Sequence, residues 1–394
     1  MAHVRKLKNG TFQAAVYVCT SAELDKHGKP KKIYEYITCD SEKECKSKAR
    51  ELETDIENRT YSSLGKMKFD AWANKWIDIN FVDYSKPCVK GKIKASTQVS
   101  YKMYIETHFK PFFGRLYLRE IQEMHIKEYI SKKLKYGLSP TTVRKHFYLL
   151  NAILYDALKV KNPCRDVEPP KAKKYTPHVL TEAEFELFHA AFKNTWDEIP
   201  LLLGAWCGMR LGEIFCLKWG DIDKDNCMIT IDETRAISEF GYIDDDPKSE
   251  RGMRTIPISQ KIIDLLEARR TQQEKISHYI FQLRPDSYSE RFGKIIDRHN
   301  KALKQLKAGK VKRSDFVLTG HKRCIEFNLA SAPLPDIRFH DLRHYHATIL
   351  YKNNIADQYA AERLGHDILV LKKIYQHLEL STKKEMDDKV RALF

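Results

Sequence analysis

The chain has 394 residues, 42% of them hydrophobic and 11% aromatic, and its 69 Lys and Arg residues against 53 Asp and Glu give a net charge of +16. This length corresponds to about two to four domains, and the apolar content excludes a disordered or collagen-like chain. The longest apolar stretches, such as 199–206, fall well short of the roughly 20 residues that span a bilayer, so we expect no membrane partner.

The positive charge is concentrated in the middle of the chain. Residues 66–175 contain 23 basic and 10 acidic side chains, a balance of +13, whereas residues 1–65 and 176–394 have balances of +2 and +1. Counterion release favours such a concentration in a protein that binds a polyphosphate such as DNA. A solvated basic face has the same composition, so charge alone leaves both interpretations open.

The first 62 residues have the pattern of a small domain with a β-sheet and a helix. Alternating apolar and polar residues predict strands over 11–19 and 31–39. Ser41 begins a capping box that predicts a helix to about Asn58. Basic residues are frequent on the strands, so residues 1–62 form either a DNA-reading sheet or an accessory domain without a ligand.

Residues 66–162 predict an all-α domain. Aromatic and apolar residues recur at helical spacing over 69–77, and further helices are predicted at 97–108 and 121–133. Ser139 is a helix N-cap followed by a proline at the first helical position. The apolar stripe of the helix that follows consists of Val143, Phe147, Leu150, Leu154 and Ala157.

Basic side chains of this all-α domain are the predicted DNA contacts. Four lysines lie in a loop over 86–94, and the residues 144–146 lie off the apolar stripe of the last helix. The candidate contacts are Lys90, Lys92, Lys94, Arg144 and Lys145. Residues 163–175 contain three prolines and four basic residues, which predicts a basic linker to the next domain.

Residues 176–394 predict a mostly α-helical domain with a small antiparallel sheet. A turn at Gly208 leads into a predicted helix through Lys218. Strands are predicted over 228–237 and 253–258, with a hairpin over 241–248 between them. The whole chain is therefore predicted to be a multidomain α+β protein.

Short motifs rich in Arg and His occur in a fixed order in this last domain. They are Arg210-Leu-Gly-Glu213, Lys248, His340-Asp-Leu-Arg343-His, Leu364-Gly-His366 and Tyr375-Gln-His377. Metal-free opening of a phosphodiester requires cations around the phosphoryl group, a nucleophile and a proton donor for the leaving oxygen. Two arginines can each present a planar fork to nonbridging oxygens, and a tyrosine can act as the nucleophile.

This ordered set resembles the tyrosine recombinase (phage integrase) family, especially the integrases of phages and conjugative transposons, over residues 66–394. His366 and Tyr375 also have the nine-residue offset typical of that family. The resemblance implies a core-binding (SAM-like) domain at 66–162 and a catalytic domain at 176–394. Residues 1–62 are similar, with weaker support, to the arm-type DNA-binding domain of that group.

The resemblance also implies a role for each residue. The catalytic set is Arg210, Lys248, His340, Arg343, His366 and Tyr375. Tyr375 attacks phosphorus to form a 3′-phosphotyrosyl link, and Lys248 protonates the 5′ leaving oxygen. His340 assists proton removal or binds a phosphate oxygen, His366 donates to phosphate, and Glu213 orients Arg210 or a neighbouring histidine.

Partners follow from the same resemblance. It implies double-stranded DNA with attachment sites, four protomers on two duplexes, a Holliday junction and no metal or other cofactor. An excisionase or a DNA-bending accessory protein is a further expected partner. Nine cysteines without a Cys-x-x-Cys pair, and the lack of a signal peptide, predict a reducing, cytoplasmic location, and the resemblance implies that the cell is bacterial.

Several alternatives remain open at the level of sequence. Arg251 or Arg254 could take the place of Lys248, and Arg210 could simply form a helix-end salt bridge. His340, His344 and His346 with Asp341 approach a zinc-binding spacing, although an arginine lies between the histidines. The competing functions are a type IB topoisomerase and a non-catalytic, sequence-specific DNA-binding protein.

Overall fold

The computed structural model describes residues 3–24, 29–58, 61, 63–84, 93–172, 178–239, 241–245, 252–271, 278–309, 327–375 and 391. The chain divides into two compact units, an N-terminal unit (Met1–Lys174) and a C-terminal unit (Tyr175–Phe394). Among the helices of the described ranges, none has the length and apolar character needed to cross a membrane.

The N-terminal unit begins with a three-stranded antiparallel sheet and a helix. The strands are His3–Lys6 (β1), Phe12–Leu24 (β2) and Pro30–Cys39 (β3), in the order β1-β2-β3, and the helix is Glu42–Glu57 (α1). The Ser41 hydroxyl accepts a hydrogen bond from the Glu44 amide at 3.1 Å, which confirms the predicted cap. The helix covers one face of the sheet through Ala14, Val16, Cys45 and Ala49.

The helical part of this unit confirms the predicted all-α pattern. Its helices are Phe69–Asn80 (α2), Ala95–Tyr104 (α3), Lys110–Phe113 (α4), Glu123–Lys135 (α5) and Pro140–Leu158 (α6), and a π-helical turn, Ile105–Phe109, joins α3 to α4. Trp72 and Trp76 are buried, and their indole nitrogens donate to the Ile153 carbonyl at 2.9 Å and the Asp156 carboxylate at 2.7 Å. These two bonds fix α2 against α6.

Two predictions for this unit need correction. His146, predicted to lie off the apolar stripe of α6, is fully buried, and its Nδ1 lies 2.9 Å from the Tyr129 hydroxyl. The predicted linker begins inside the core, since Pro163–Asp166 forms a 3₁₀ turn and Cys164 and Val167 pack against the helices. Cys164 and Val167 are apolar and three residues apart, so both reach the core from one side of this turn. The prolines and basic residues around them obscure that pattern in the sequence.

The C-terminal unit is mostly helical, as predicted. Its helices are Glu182–Phe192 (α7), Glu198–Trp206 (α8), Leu211–Ile214 (α9), Gln260–Thr271 (α10), Pro285–Lys307 (α11), Asp341–Lys352 (α12), Asp357–Leu364 (α13) and Ile368–Tyr375 (α14). Its strands are Ile222–Asp223 (β4), Met228–Ile231 (β5), Thr234–Ser238 (β6), Gly241–Asp245 (β7) and Arg254–Pro257 (β8). They form one antiparallel sheet, β4-β5-β8, and a separate hairpin, β6-β7.

The boundaries of several elements differ from their predictions. The predicted helix from Gly208 to Lys218 is reduced to the four residues of α9, because Phe215, Cys216 and Leu217 turn into the core. The predicted strand 228–237 is two strands, since β5 pairs with β8 whereas β6 pairs with β7. The hairpin therefore turns between Ser238 and Gly241, earlier than predicted.

Candidate active site

Arg210 lies at the N-terminus of α9, where the backbone leaves an extended conformation. Its amide donates to Glu213 Oε2 at 2.8 Å and its Nη1 donates to Glu213 Oε1 at 2.7 Å. Its Nη2 donates to the Gly365 carbonyl at 2.9 Å. The short helix thus fixes both the backbone and the guanidinium of Arg210 on the Glu213 carboxylate.

Glu213 is shared between two arginines. Arg254, the first residue of β8, donates from Nη1 and Nη2 to the two carboxylate oxygens of Glu213 at 3.1 and 2.9 Å. Burial by itself would raise the pKa of Glu213, but the hydrogen bonds and charge of Arg254, followed by the charges of Arg210 and Arg343, lower it to about 2. Glu213 is therefore ionised at neutral pH.

Arg343 lies in the first turn of α12 and is 2% exposed. Its two terminal nitrogens donate to the carbonyls of Gly208 and Leu364. Burial and then the charge of Arg210 lower the pKa of the Arg343 guanidinium, whereas Glu213 raises it. Its Nε is buried without a partner among the described residues, so one strong donor remains available to a ligand.

Two histidines complete the neighbourhood of these arginines. Burial, and then the charges of Arg343 and Arg210, lower the pKa of His366 to about 3. Burial, and then the charges of His344 and Arg343, lower the pKa of His340 to about 4. Both imidazoles are therefore neutral at neutral pH, and each has one N–H to donate.

Buried nitrogen atoms without partners are concentrated at this place. Within the described ranges, His344 Nδ1 and His366 Nδ1 are buried and unpaired, as is the Nε of Arg343. The rings of His340 and His344 are in edge-to-face contact, with centroids 5.3 Å apart. Buried polar atoms normally have partners, so this group of atoms is suited to an anionic ligand with several oxygens.

Tyr375 is the last residue of α14. Leu371 of that helix is buried together with Ala360, Ala361 and Leu364 of α13. The short helix is thus packed against the segment that ends at His366, and the backbone of Tyr375 follows from it.

Lys248 lies outside the described residues, but both ends of its segment are anchored. On the one side, β7 ends at Asp245, and Asp244 accepts from Arg235 at 2.8 and 3.1 Å and from the Tyr279 hydroxyl at 2.6 Å. On the other side, β8 begins at Arg254, which contacts Glu213.

The hairpin also packs directly against α9. A Cβ on Gly212 would lie 2.6 Å from the Thr234 hydroxyl and 2.9 Å from the Arg235 carbonyl, so only glycine permits this approach. The segment that contains Lys248 therefore starts and ends beside the Arg210–Glu213 pair.

The contact of Arg254 with Glu213 is not predicted from the sequence, in which Arg254 is a possible substitute for Lys248. The side chain is 6% exposed and donates four hydrogen bonds, to Glu213, Gly252 and Arg363. The signal available was strand alternation, since Arg254 shares a face of β8 with the buried Ile256.

The zinc alternative is wrong for the described residues. His346 lies 3.1 Å from the Ala205 carbonyl through Nδ1 and accepts from Arg363 Nε at 3.1 Å, while Asp341 accepts from the Arg338 amide. Within the described ranges, the only converging donor group is Cys216, Glu233 and Asp244. Lys218 and Arg235 already pair with those two carboxylates, which makes the group an ion-pair network.

The predicted DNA contacts are placed only in part. Lys90 and Lys92 lie outside the described residues, whereas Lys94 and Lys145 are exposed. Arg144 is half-buried and donates to the Tyr148 hydroxyl at 2.9 Å, over whose ring it also lies.

The sheet of the N-terminal unit has one face that α1 leaves uncovered. Cross-strand partners on this face include Arg5, Gln13 and Thr38, and the exposed side chains of Tyr17 and Tyr36 continue it. Arg5 Nη2 donates to the Gln13 amide oxygen at 2.7 Å. The face is therefore polar, aromatic and accessible in this unit.

Comparison with known proteins links this arrangement to one family. The phage integrase family matches residues 178–381, and the phage integrase N-terminal SAM-like domain matches residues 84–134. The ICEBs1 integrase of Bacillus subtilis is 24% identical over 74% of this chain and 76% of its own length. The integrase of Staphylococcus phage L54a is 21% identical over 86% of this chain and 96% of its own length.

Solved structures show the same fold. The Tn1549 transposon integrase in complex with transposon right end DNA has a TM-score of 0.57 at 19% identity and covers 82% of this chain and 100% of that chain. A lambda integrase dimer bound to a COC′ core site has a TM-score of 0.52 at 15% identity and covers 94% of this chain and 93% of that chain.

Proposed function

Since the chain belongs to the phage integrase family and is a tyrosine recombinase, we propose that it cleaves and rejoins DNA at specific sites through a 3′-phosphotyrosyl intermediate. The observation that carries this proposal is the convergence of Arg210 and Arg343 on the carbonyls of Gly365 and Leu364 beside His366, with Arg343 buried and the other two side chains half-buried. Preorganised donors in a site of low dielectric stabilise a phosphoryl transition state strongly, because they need little reorganisation when charge develops.

The two arginines and His366 bind the nonbridging oxygens of the scissile phosphate. Arg343 contributes its unpaired Nε, and Arg210 keeps the guanidinium N–H groups that Glu213 and Gly365 do not use. Neutral His366 donates one N–H, and His340 binds a phosphate oxygen or takes the phenolic proton. These donors together stabilise the negative charge that develops on the nonbridging oxygens.

Tyr375 is the nucleophile. A phenol with an ordinary pKa of about 10 is protonated at neutral pH, so attack requires cations at the phosphate and an acceptor for the proton. Attack forms a bond between the phenolic oxygen of Tyr375 and the phosphorus, which stays on the 3′ end of the strand. The bond from phosphorus to the 5′ oxygen breaks, and this oxygen leaves as a hydroxyl once it is protonated. The phosphotyrosyl link retains the energy of the broken ester, so a new 5′-hydroxyl can reverse the reaction without ATP.

Lys248 is the proton donor for the leaving 5′ oxygen. The support for this role is that the described residues before and after its segment are fixed, Asp244 by Arg235 and Arg254 by Glu213. A lysine on such a connection can approach the leaving oxygen once DNA is bound. The assignment predicts that Lys248→Ala loses cleavage of ordinary DNA and recovers it when the leaving atom is sulfur, since a thiolate leaves without a proton.

DNA binding involves the N-terminal unit as well. Lys94 and Lys145 are exposed basic side chains in the segment with the +13 balance, and we assign them to backbone phosphates together with Lys90, Lys92 and Arg144. The uncovered sheet face with Arg5 and Gln13 is assigned to a second, arm-type site. Exchange between two duplexes cuts four strands, so one tyrosine per protomer requires four protomers, with a Holliday junction between the two rounds.

The test is covalent trapping on nicked suicide DNA that contains attachment-site sequences from the ends of the mobile element. Wild type and Tyr375→Phe are compared in EDTA without ATP. We expect a protein–DNA adduct on the 3′ side for wild type and none for the variant. Tight, salt-sensitive binding without an adduct in either protein would instead identify a non-catalytic DNA-binding protein.

A second arm of the experiment separates recombination from relaxation. Two duplexes with matching sites are incubated with the wild type, and the products are sized. Joined strands from different duplexes are expected from a recombinase. Relaxation of supercoiled DNA without exchange would favour the topoisomerase alternative.

A further inference from the structure

Three consecutive carbonyl groups at the end of α13 each accept a hydrogen bond from a different arginine. The Arg363 carbonyl accepts from Arg254 Nε at 2.7 Å, and the Gly365 carbonyl accepts from Arg210 Nη2 at 2.9 Å. Between them, the Leu364 carbonyl accepts from Arg343. The residue that follows is His366, so one backbone turn contacts Arg254, Arg343 and Arg210 and leads into the histidine of the site.

The local backbone explains why this turn collects cations. The last carbonyls of a helix have no partners within it, and they form the negative end of the helix dipole. Gly365 ends α13 in the left-handed conformation, with φ 59° and ψ 44°. These carbonyls are therefore oriented away from the helix and towards the guanidinium groups.

Arg254 differs from the other two arginines because its remaining donors are used on protein groups. Its two terminal nitrogens bind both oxygens of Glu213, whose side chain is 1% exposed. Glu213 in turn binds Arg210, and Arg210 returns to Gly365. The result is a closed ring that joins β8, α9 and the end of α13.

We propose that Arg254 is a positioning residue, which holds Glu213 so that Arg210 keeps the orientation and the charge needed to bind the scissile phosphate. The proposal rests on the function proposed above. A buried carboxylate beside Arg210 alone would neutralise that guanidinium and compete with phosphate for it. With Arg254 on the same carboxylate, the three groups have a net charge of +1, which remains available to the DNA.

The test is a double-mutant cycle on the rate of adduct formation under single-turnover conditions. The variants are Arg254→Gln, Glu213→Gln and the double variant, with Arg254→Lys as the conservative replacement. Wild type and Tyr375→Phe are measured beside them, so absence of a wild-type adduct would refute the proposed function and not this inference alone. The affinity for DNA and the melting temperature are measured for every variant.

The matched control is Arg291→Gln. Arg291 forms the same kind of buried two-oxygen pair, with Asp197 at 2.7 to 3.1 Å, but it joins α11 to the residue before α8. We expect it to lower the melting temperature as Arg254→Gln does, and to change the adduct rate per folded molecule by less than about 2-fold. A comparable loss in this control would mean that general destabilisation explains the effect.

For Arg254→Gln we expect the adduct rate to fall about 10- to 100-fold with little change in DNA affinity, since a small misplacement of a catalytic group has effects of this size. Arg254→Lys should recover part of the rate. The double variant should be no slower than the slower single variant, because both act through Arg210. The inference is overturned if the double variant shows the product of the two single losses of rate, or if Arg254→Gln has the wild-type rate.

Discussion

Arg343 loses nearly all of its hydration in this fold, and its hydrogen bonds to the carbonyls of Gly208 and Leu364 replace only part of it. A buried donor without a partner destabilises a protein by about 1–3 kcal/mol, and more for a charged group. Under the proposed function, the unpaired Nε of Arg343 makes phosphate binding more favourable than it would be at an arginine whose donors are all paired. The proposed substrate then supplies the hydrogen bond that this nitrogen lacks in the free protein.

His346 provides a residue-scale prediction about stability and pH. Burial, and then the charges of Arg363, Arg343 and Arg254, lower its pKa from 6.5 to about 3. The unfolded chain therefore binds a proton that the folded one does not, and stability falls as pH falls from about 6.5 towards 3. At pH 5 this single histidine accounts for a loss of about 2 kcal/mol relative to pH 7.

The replacement that tests this is His346→Gln, whose amide offers a donor for Ala205 and an acceptor for Arg363. Urea denaturation at pH 5 and pH 7 should show a smaller loss of unfolding free energy in the variant than in wild type, by about 2 kcal/mol. Equal losses in the two proteins would show that His346 is not responsible.

The connection between α8 and α9 is the element on which Arg210 depends. Gly208 in this connection has φ +64°, and a Cβ there would lie 2.6 Å from His346 Cδ2 and 2.7 Å from Leu364 Cδ2. Gly309 has nearly the same φ, +68°, but a Cβ there meets no atom of the described residues within 4 Å. The two glycines therefore separate backbone strain from steric overlap.

We expect both Gly208→Ala and Gly309→Ala to incur the left-handed backbone strain of about 1–2 kcal/mol. Gly208→Ala should be less stable by a further 1–3 kcal/mol or so, because His346 and Leu364 have to move. Thermal or urea denaturation of the two variants measures the difference. Equal destabilisation would indicate that His346 and Leu364 can move away from the added Cβ without a measurable loss of unfolding free energy.

The β6-β7 hairpin supports a prediction about proton donation by Lys248. Asp244→Asn weakens the pair with Arg235 and the bond from Tyr279, so the base of the hairpin is less firmly held. Cleavage of ordinary DNA should fall about 10-fold, whereas cleavage of DNA with a bridging 5′ sulfur should fall less than 2-fold or so. Equal losses on the two substrates would show that the hairpin affects another step.

Local signals predicted the elements well, and pairings over long distances were missed. Ser41 caps its helix through the residue three positions along, so four or five residues contain the necessary information. The i,i+3 pair of Arg210 and Glu213 was recognised for the same reason. Arg254 contacts Glu213 across 41 positions, and the break between β5 and β6 depends on partners chosen elsewhere in the chain.

At the scale of the whole molecule, charge and chemistry are in different units. The segment with the +13 balance lies almost entirely in the N-terminal unit, while the arginines proposed to bind the scissile phosphate lie in the C-terminal unit, where positive and negative charges nearly cancel. Lysines at the surface attract DNA through counterion release, which is strong but independent of sequence. In the proposed function Arg210 and Arg343 instead act on one phosphate, so affinity and cleavage should respond to different substitutions.

Lys145 on α6 tests this separation. It is exposed, and beside it Arg144 is held by Tyr148, so Lys145 is the freer of the two to reach a phosphate. If it neutralises one phosphate, Lys145→Gln should weaken binding about equally for all DNA sequences and reduce the slope of log K against log salt by about 1. The maximal adduct rate at saturating protein should stay within about 2-fold of wild type, because no contact at the cleaved phosphate is lost.

The matched control is Lys294→Gln, which removes an exposed lysine already paired with Glu290 at 2.5 Å on α11 and should leave the slope unchanged. An unchanged slope for Lys145→Gln would place this face of α6 away from the DNA.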